Sequence, residues 1–385
     1  MKVAVLGGGP AGLYFAYRFK RARPHAQVDL FEQNPAGATW GFGVVFSDRA
    51  LEFLRADDPE TVELISARME TWRDITVAHR GEAIAIDGVG FSAIGRLELL
   101  RLLQARVDKV GVRPRYETIV RSIDELAGYD LIVAADGVNS LVRRGFEGDF
   151  KTSVTYLDNK FAWFGTTKRF DTLTQTFVTT PLGTFNAHHY RYAPDASTFI
   201  IECDRATWLR HGFQDESDDA TRAICEAAFA EALGGHKLIS NKSQWRNFPW
   251  IWNERWSYRN MVLVGDALRT AHFSIGSGTR LALEDVIALL AALEAEPGDI
   301  PAALSRYERE RRPAVEKLVK ASRASAAWYE RFPEHMALEP LDFAHAYMGR
   351  TGRMTDEALL SMAPGFMRRY QRQAAAAVRQ PSRPG

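Results

Sequence analysis

The sequence predicts an α/β chain: a parallel, nucleotide-binding sheet interrupted by an antiparallel-sheet insertion and followed by C-terminal helices. Three observations carry that prediction. The chain opens on a short β-branched run, residues 3–6, then Gly7-Gly8-Gly9-Pro10-Ala11-Gly12, then a helical stretch over 13–20. Between 160 and 203 the pattern turns to aromatic and β-branched segments separated by turn residues. A buried strand at 261–264 then runs through Gly265-Asp266 into an apolar helix, so the first sheet is completed only after the insertion.

Each element has a local reason. Gly7 permits the tight turn after the first strand, Gly9 lets backbone approach a pyrophosphate, and Gly12 lets helix and strand pack closely, as in a Rossmann-like unit. Pro10 and Ala11 complete the loop, and the helix start offers N–H groups and partial positive charge to phosphates. A second apolar run, 28–31, ends at Glu32, which stands where a carboxylate receives a ribose hydroxyl. A turn-rich loop follows over 33–43. Ser47 and Asp48 suit a helix cap, and Pro59 suits the first turn of a helix carrying Val62, Ile65, Met69 and Trp72 at helical spacing. Residues 75–89 read as a hairpin, 96–110 as a helix with stripe Leu99, Leu100, Leu103 and Val107, and 116–120 and 130–134 as strands. One helix is expected at 218–233, and helices at 302–329, 340–347 and 356–371, before a frayed tail. The resulting division places the nucleotide unit in 1–74, 93–155 and 258–300. The hairpin at 75–92 is lent to an insertion at 156–257, and 301–385 is a helical region.

Composition sets bounds on function. A hydrophobic content of 46% and a charged content of 25% are globular values. A net charge of +1 gives no reason to propose nucleic acid or an anionic membrane as partner. The absence of a secretory leader or an apolar run of membrane-span length, together with only two cysteines (Cys203 and Cys225), leads to the expectation of a cytoplasmic protein. No metal-ligand spacing is present.

Two further motifs complete the pattern. A strand ends in Asp136-Gly137, with Ser140 and Arg143 following. A later strand ends in Gly265-Asp266, where the carboxylate suits a sugar or ribityl hydroxyl. Gly276-Ser277-Gly278-Thr279 then opens a helix toward an electron-rich ring edge.

These three motifs, in this order over residues 2–313, resemble the single-component FAD-dependent aromatic hydroxylases, the para-hydroxybenzoate hydroxylase family and fold. The resemblance implies FAD at the opening fingerprint and assigns Asp136 and Gly137 to FAD and NAD(P)H together. It assigns Asp266 to the ribityl chain, Arg96 to the flavin phosphates or ring, and Gln33, Val44 and Val120 to the cofactor site. Because no second GxGxxG occurs, NADH or NADPH is implied as a transient cosubstrate. The family's common GDAAH, proline and GxGxN positions are here Arg269, Phe273 and Arg280. The stretches 41–48, 187–192, 245–248 and 270–279 are similar to a narrower subgroup: salicylyl-CoA 5-hydroxylase, the hydroxylase half of 2-aminobenzoyl-CoA monooxygenase/reductase, and the tryptophan-derivative hydroxylase of violacein synthesis. The Phe46-Ser47-Asp48 ending and the Ser-Gly-Thr after Ile275 look more like the acyl-CoA hydroxylases.

The implied reaction spends NAD(P)H and O2 to hydroxylate an activated aromatic ring, with a flavin hydroperoxide as oxygen donor; the expected substrate is an aryl-CoA thioester such as salicylyl-CoA, with 2-aminobenzoyl-CoA or a tryptophan- or indole-derived metabolite as the alternative. His188 and Tyr190 lie two apart on one strand and share a face. They are the expected contacts to a ring hydroxyl, with a purely structural reading beside that one. His272 lies in the flavin-proximal segment. Arg280 is expected to help stabilise charge on the reduced cofactor, or to contact a substrate phosphate, or to be surface charge. Arg269, Arg311 and Arg312 are further arginines considered for a CoA mouth. The halogenase signature GWxWxIP fails at Trp250-Ile251-Trp252. A flavin reductase without oxygen transfer is the alternative class.

Overall fold

Three turns leave one sheet side by side, and the rest of the molecule is arranged around them. The computed structural model describes residues 1–379, with the backbone alone for Asp48, Arg49 and 377–379. The five-stranded sheet runs in the order Ser257–Tyr258, Met261–Leu263, Leu131–Ala134, Lys2–Leu6 and Gln27–Phe31. Leu6 and Leu263 are both in register with Ala134. The turns at Gly7, Asp136 and Gly265 therefore emerge together at the carboxyl ends of parallel strands, where α/β folds place their ligands. Val3, Ala4, Val5, Leu131 and Val133 are buried, as strands covered on both faces require. Their covering helices are Pro10–Ala22, Arg96–Lys109, Gly278–Ala295 and Ile300–Glu330.

The insertion is an eight-stranded sheet. Strand Thr152–Thr166 pairs along its second half with Ala196–Cys203 and along its first with Arg246–Asn253. Gly183–Ala193, Leu173–Thr180 and the hairpin Ile75–His79/Glu82–Ile86 continue the order. The hairpin turns through Arg80 and Gly81, both at positive φ, the geometry that matches strand twist. One face of this sheet is dry: Phe185, Ala187, Phe199 and Ile201 pack with Cys225 and Phe229. The other face carries Asn186, His188 and Tyr190 and looks toward the parallel-sheet unit. A small third sheet, Gly43–Ser47, Phe91–Gly95 and Glu70–Trp72, joins the two. The helices Pro340–Gly349, Asp356–Met362 and Pro364–Arg379 cover the hairpin through Phe343, Tyr347, Phe366 and Met367.

Several local expectations are corrected. The helix from Pro59 ends at Ser66, and Trp72 lies on a strand, because a 3.6-residue apolar spacing continued by chance into a loop. Residues 116–120 form no strand; only Arg115 bridges to Phe31. The 218–233 helix breaks at Phe229, and 356–371 is two helices meeting at Ala363 and Pro364, where proline starts a new first turn. The strand beginning at Thr152 crosses the expected boundary at 155/156. The side-chain cap expected of Asp48 and the end of the tail, 380–385, lie outside the described residues. Among those residues no helix is long and apolar enough to cross a membrane.

Candidate active site

The phosphate loop is shaped by contacts that only glycine tolerates. Gly7 has φ +98°, and a Cβ there would meet the Ala135 carbonyl at 2.4 Å. A Cβ on Gly12 would lie 2.0 Å from the Gly7 oxygen, whereas one on Gly9 meets nothing within 4 Å. Gly9 thus faces open space at the start of helix Pro10–Ala22, whose first turn has no acidic residue and no side-chain cap. Glu32 accepts the Gly8 N–H at 2.7 Å through one oxygen and the Asn34 N–H at 2.8 Å through the other. Gln33 beside it is exposed.

The second and third turns face the same space. Asp136 accepts the Leu141 N–H at 2.8 Å, while its other oxygen is buried without a partner. Burial raises its pKa. Gly137 has φ +73°. Buried Arg143 ties this turn to the next by donating to the Val138 and Ala267 carbonyls. Asp266 is exposed to the crevice yet walled by protein, which raises its pKa; the charges of Arg269 and Arg96 oppose that rise. Arg96 begins its helix, and burial lowers its pKa against the pull of Asp266. This set fits FAD. Gly9 leaves room that a pyrophosphate would fill, Arg96 supplies a cation beside Asp266, Asp266 would accept a hydroxyl, and Asp136 keeps one oxygen unsatisfied. FAD supplies the hydride and oxygen chemistry when bound.

Above this crevice lies the polar face of the insertion. Tyr190 donates to the Gly43 carbonyl at 3.0 Å, so its hydroxyl hydrogen is already engaged. Burial raises its pKa. His188 is 4% exposed, and neither ring nitrogen has a partner. Burial, then the charge of Arg350, pushes it down to about 3. His272 is also held down to about 3, first by burial and then by His188 and Arg350. Its Nδ1 pairs with Ser274 Oγ at 2.8 Å, and its backbone N–H donates to Ser322 Oγ at 2.8 Å. The two imidazoles and Arg350 are therefore electrostatic neighbours. The segment ends at Gly276, where a Cβ would touch Val45 at 3.0 Å. Ser277 bonds back to the Ile275 carbonyl at 3.1 Å, so helix Gly278–Ala295 begins without a side-chain cap at Gly278 and Thr279. The structure thus brings together the fingerprint, Asp136, Asp266, Arg96, His188, Tyr190, His272 and the 276–279 turn.

Other expected residues sit elsewhere or are occupied. Val120 lies in an irregular segment, partly buried against the large core, and Val44 packs into that core from its strand. Arg280 pairs with Glu284 at 2.7 Å and lies over Phe53, a paired cation rather than a free one. Arg269, 1% exposed, is locked to Asp285 at 2.8 Å and donates to the Gly265 carbonyl. Arg311 binds Glu284 and Asp285, and Arg312 binds Glu308 and Glu316. Asp285 also accepts the Gly265 N–H at 3.0 Å, so this buried ion group fixes the turn that presents Asp266.

Sequence reasoning missed Arg350 and the residues that extend the His188 face. Gln175 is in register with His188, and Asn186 with Glu202. Gln175 Nε2, Asn186 Oδ1 and Glu202 Oε2 are buried without partners. Tyr329 donates to Gln175 at 3.0 Å and Asn159 to Glu202 at 2.9 Å. Alternation along each strand was a readable signal; cross-strand register was not. Burial raises Glu202 to about 8, with Glu330 adding to the rise. An unfolded glutamate titrates near ~4.3, so the folded state holds the extra proton between the two values and stability falls as pH rises through that window. We expect Glu202→Gln to remove this penalty. Its melting temperature should gain on the wild type from pH 5 to pH 8, by calorimetry; parallel curves would disprove a neutral Glu202.

Comparison with known proteins identifies the family. Residues 100–322 match the family described as FAD binding domain. Salicyloyl-CoA 5-hydroxylase of a Streptomyces species is 40% identical over 96% of this chain and 74% of its own length. Protodeoxyviolaceinate monooxygenase of Chromobacterium violaceum is 34% identical over 91% of this chain and 94% of its own. A 3-hydroxy-4-methyl-anthranilyl-(aryl-carrier protein) 5-monooxygenase of Streptosporangium sibiricum is 36% identical over 87% of this chain and 90% of its own. The fold is that of 2-methyl-3-hydroxypyridine-5-carboxylic acid oxygenase, with a TM-score of 0.69 over 94% of this chain and 95% of that one at 17% identity. With its three cofactor turns converging under a buried polar sheet face, and with these relatives along nearly its whole length, this chain belongs to the FAD-binding-domain family and is an FAD-dependent aromatic monooxygenase.

Proposed function

We propose that the ring hydroxylated here is carried as a CoA thioester, with salicylyl-CoA, hydroxylated at position 5 to gentisyl-CoA, as the leading substrate. The observation that carries the reading is His188: a buried, neutral imidazole with both nitrogens unpaired, on the sheet face opposite the cofactor turns. Such a group costs stability unless a ligand satisfies it, and a ring hydroxyl or a thioester carbonyl does so. The similarity to salicyloyl-CoA 5-hydroxylase supports the choice of ring. The relative named for an anthranilyl-(aryl-carrier protein) substrate supports 2-aminobenzoyl-CoA as a second reading.

In this reading the chain's residues divide the work. Gly7, Gly9, Pro10, Ala11, Gly12, Glu32, Asp136, Gly137, Arg96 and Asp266 hold FAD. The open N–H groups at Gly278 and Thr279 favour negative charge beside them. His188 orients the substrate hydroxyl, Tyr190 fixes the Gly43 wall, and His272 with Ser274 holds the segment leading to Gly276. Aromatic rings pack around His272, Phe161 with Phe273 at 5.1 Å and Phe248 with His272 at 4.9 Å, and add apolar walls to the chamber. NADH or NADPH enters transiently. Cys203 and Cys225, free and buried, support a reducing cytoplasm.

The test is a turnover screen of the purified holoenzyme with salicylyl-CoA, 2-aminobenzoyl-CoA, free salicylate and tryptophan derivatives, each with NADH and with NADPH, under labelled O2. Label in gentisyl-CoA with salicylyl-CoA-dependent NAD(P)H consumption is the expected result. Preference for an uncoupled acid or an indole would reject the thioester, and product without label would reject oxygen transfer.

A further inference from the structure

The loop joining strand Gln27–Phe31 to strand Gly43–Ser47 carries a feature used by neither the cofactor turns nor the chamber. Trp40 is 51% exposed, and tryptophan, with its large apolar face and polar N–H, is a residue type enriched at interfaces. The Lys242 ammonium lies 4.9 Å from its ring centroid. The pair is held in place by backbone. Asn241 donates to the carbonyls of Thr39 at 3.1 Å and Gly41 at 3.3 Å, on either side of Trp40. Gly41 sits at φ +81°, where an added Cβ would meet the Trp163 ring at 3.1 Å, and Lys242 is itself in the left-handed region, φ +54°.

The loop then leads straight to the chamber. The Phe42 ring covers Gly165. Gly43 donates its N–H to Thr198 at 2.9 Å and accepts from Tyr190, the neighbour of His188. Only Gly41 and Phe42 thus separate the exposed indole from the Gly43 wall, at most about 11 Å of backbone from Cα to Cα. An extended pantetheine arm is long enough to cover that path.

We propose that Trp40 and Lys242 form the docking site for the nucleotide end of a CoA thioester, the adenine stacking on the indole and a phosphate pairing with the ammonium. The proposal rests on the thioester reading above. Stacking of a base on an aromatic ring changes affinity by roughly 5- to 150-fold on alanine substitution. An exposed Lys–phosphate pair adds a salt-sensitive share.

The test compares kcat/KM of the holoenzyme for salicylyl-CoA and for the N-acetylcysteamine thioester of salicylate, which lacks the nucleotide. In the wild type the CoA thioester is expected to be the better substrate through KM. Adenosine 3′,5′-bisphosphate is expected to compete with salicylyl-CoA but not with the truncated thioester, a measurement that needs no variant. Trp40→Ala should lower the CoA-to-truncated ratio of kcat/KM at least five-fold, with Trp40→Phe restoring most of it. Lys242→Ala should lower the ratio and flatten its salt dependence. Equal efficiency for both thioesters in the wild type, equal losses for both in the variants, or preference for a carrier-protein-borne thioester would overturn the site while leaving the chamber reading intact. Turnover of neither thioester by the wild type would remove the substrate reading and the docking site together.

Discussion

Gly12→Ala is expected to yield a chain that does not retain FAD. The added methyl would lie 2.0 Å from the Gly7 carbonyl oxygen and 3.3 Å from Val5. The clash is with backbone, so no side chain can swing aside to relieve it. Helix Pro10–Ala22 has no free direction in which to retreat, since Leu13, Tyr14, Phe15 and Phe19 are all buried. Overpacking of this kind costs about 1–3 kcal/mol or more, and the shift it forces falls on the turn that receives the pyrophosphate. We expect at least a hundred-fold loss of FAD affinity, read as flavin absorbance per chain after gel filtration, with a lowered melting temperature. Gly9→Ala is the contrast: its methyl meets no protein atom within 4 Å. That variant should fold with wild-type stability and still bind FAD poorly, because the space it fills is the space the cofactor needs. Full flavin loading of Gly12→Ala would contradict the packing argument, and full loading of Gly9→Ala the placement of the pyrophosphate.

His188→Ala should cut hydroxylated product at least ten-fold per NAD(P)H consumed. On the proposed reading the ring then loses its hydroxyl anchor, and a misplaced ring would not be hydroxylated even while cofactor reduction proceeds. The expected signature is uncoupling: NAD(P)H oxidation falls less than product formation, and peroxide accumulates. Stability gives an independent readout. Folded His188 titrates at about 3, because burial disfavours its charged form, whereas an unfolded histidine titrates near ~6.5. Between those values the unfolded chain binds more protons, so this residue makes the wild type lose stability as pH falls below 6.5. His188→Ala should lose less over that range. Unchanged coupling would take His188 out of the site, and an unchanged acid limb of the stability curve would mean that the imidazole is not buried neutral.

The parts of this protein that were legible in its sequence are those fixed by neighbours in the chain. Gly7 and Gly12 announce their turn through local geometry, Gly7 by its positive φ and Gly12 by its close approach to the Gly7 carbonyl five residues earlier. Strand and helix periods located the sheets, and the order of the Asp136 and Asp266 motifs pointed to FAD. Where two local readings fit equally well, sequence misled: Met69 and Trp72 continue a helical spacing beyond a helix that stops at Ser66. Arginines were the least legible residues. Arg280 pairs with Glu284 four residues on along its own helix, a spacing the sequence did carry. Arg269 and Arg311, however, were open to ligand roles until the structure showed Asp285 and Glu284 beside them, because an ion pair between separate elements leaves no trace in spacing. Arg350, which acts on both chamber histidines, was invisible for the same reason.

The sequence by itself therefore determined the cofactor cradle, since a glycine turn between strand and helix is a short-range construction. Only the tertiary structure decided the substrate chamber. Cross-strand register set Gln175 against His188 and Asn186 against Glu202, and long-range packing left the two His188 nitrogens buried and unpaired. Burial and pairing depend on which surfaces meet, and residues more than a hundred positions apart meet here only once the insertion has folded over the three turns.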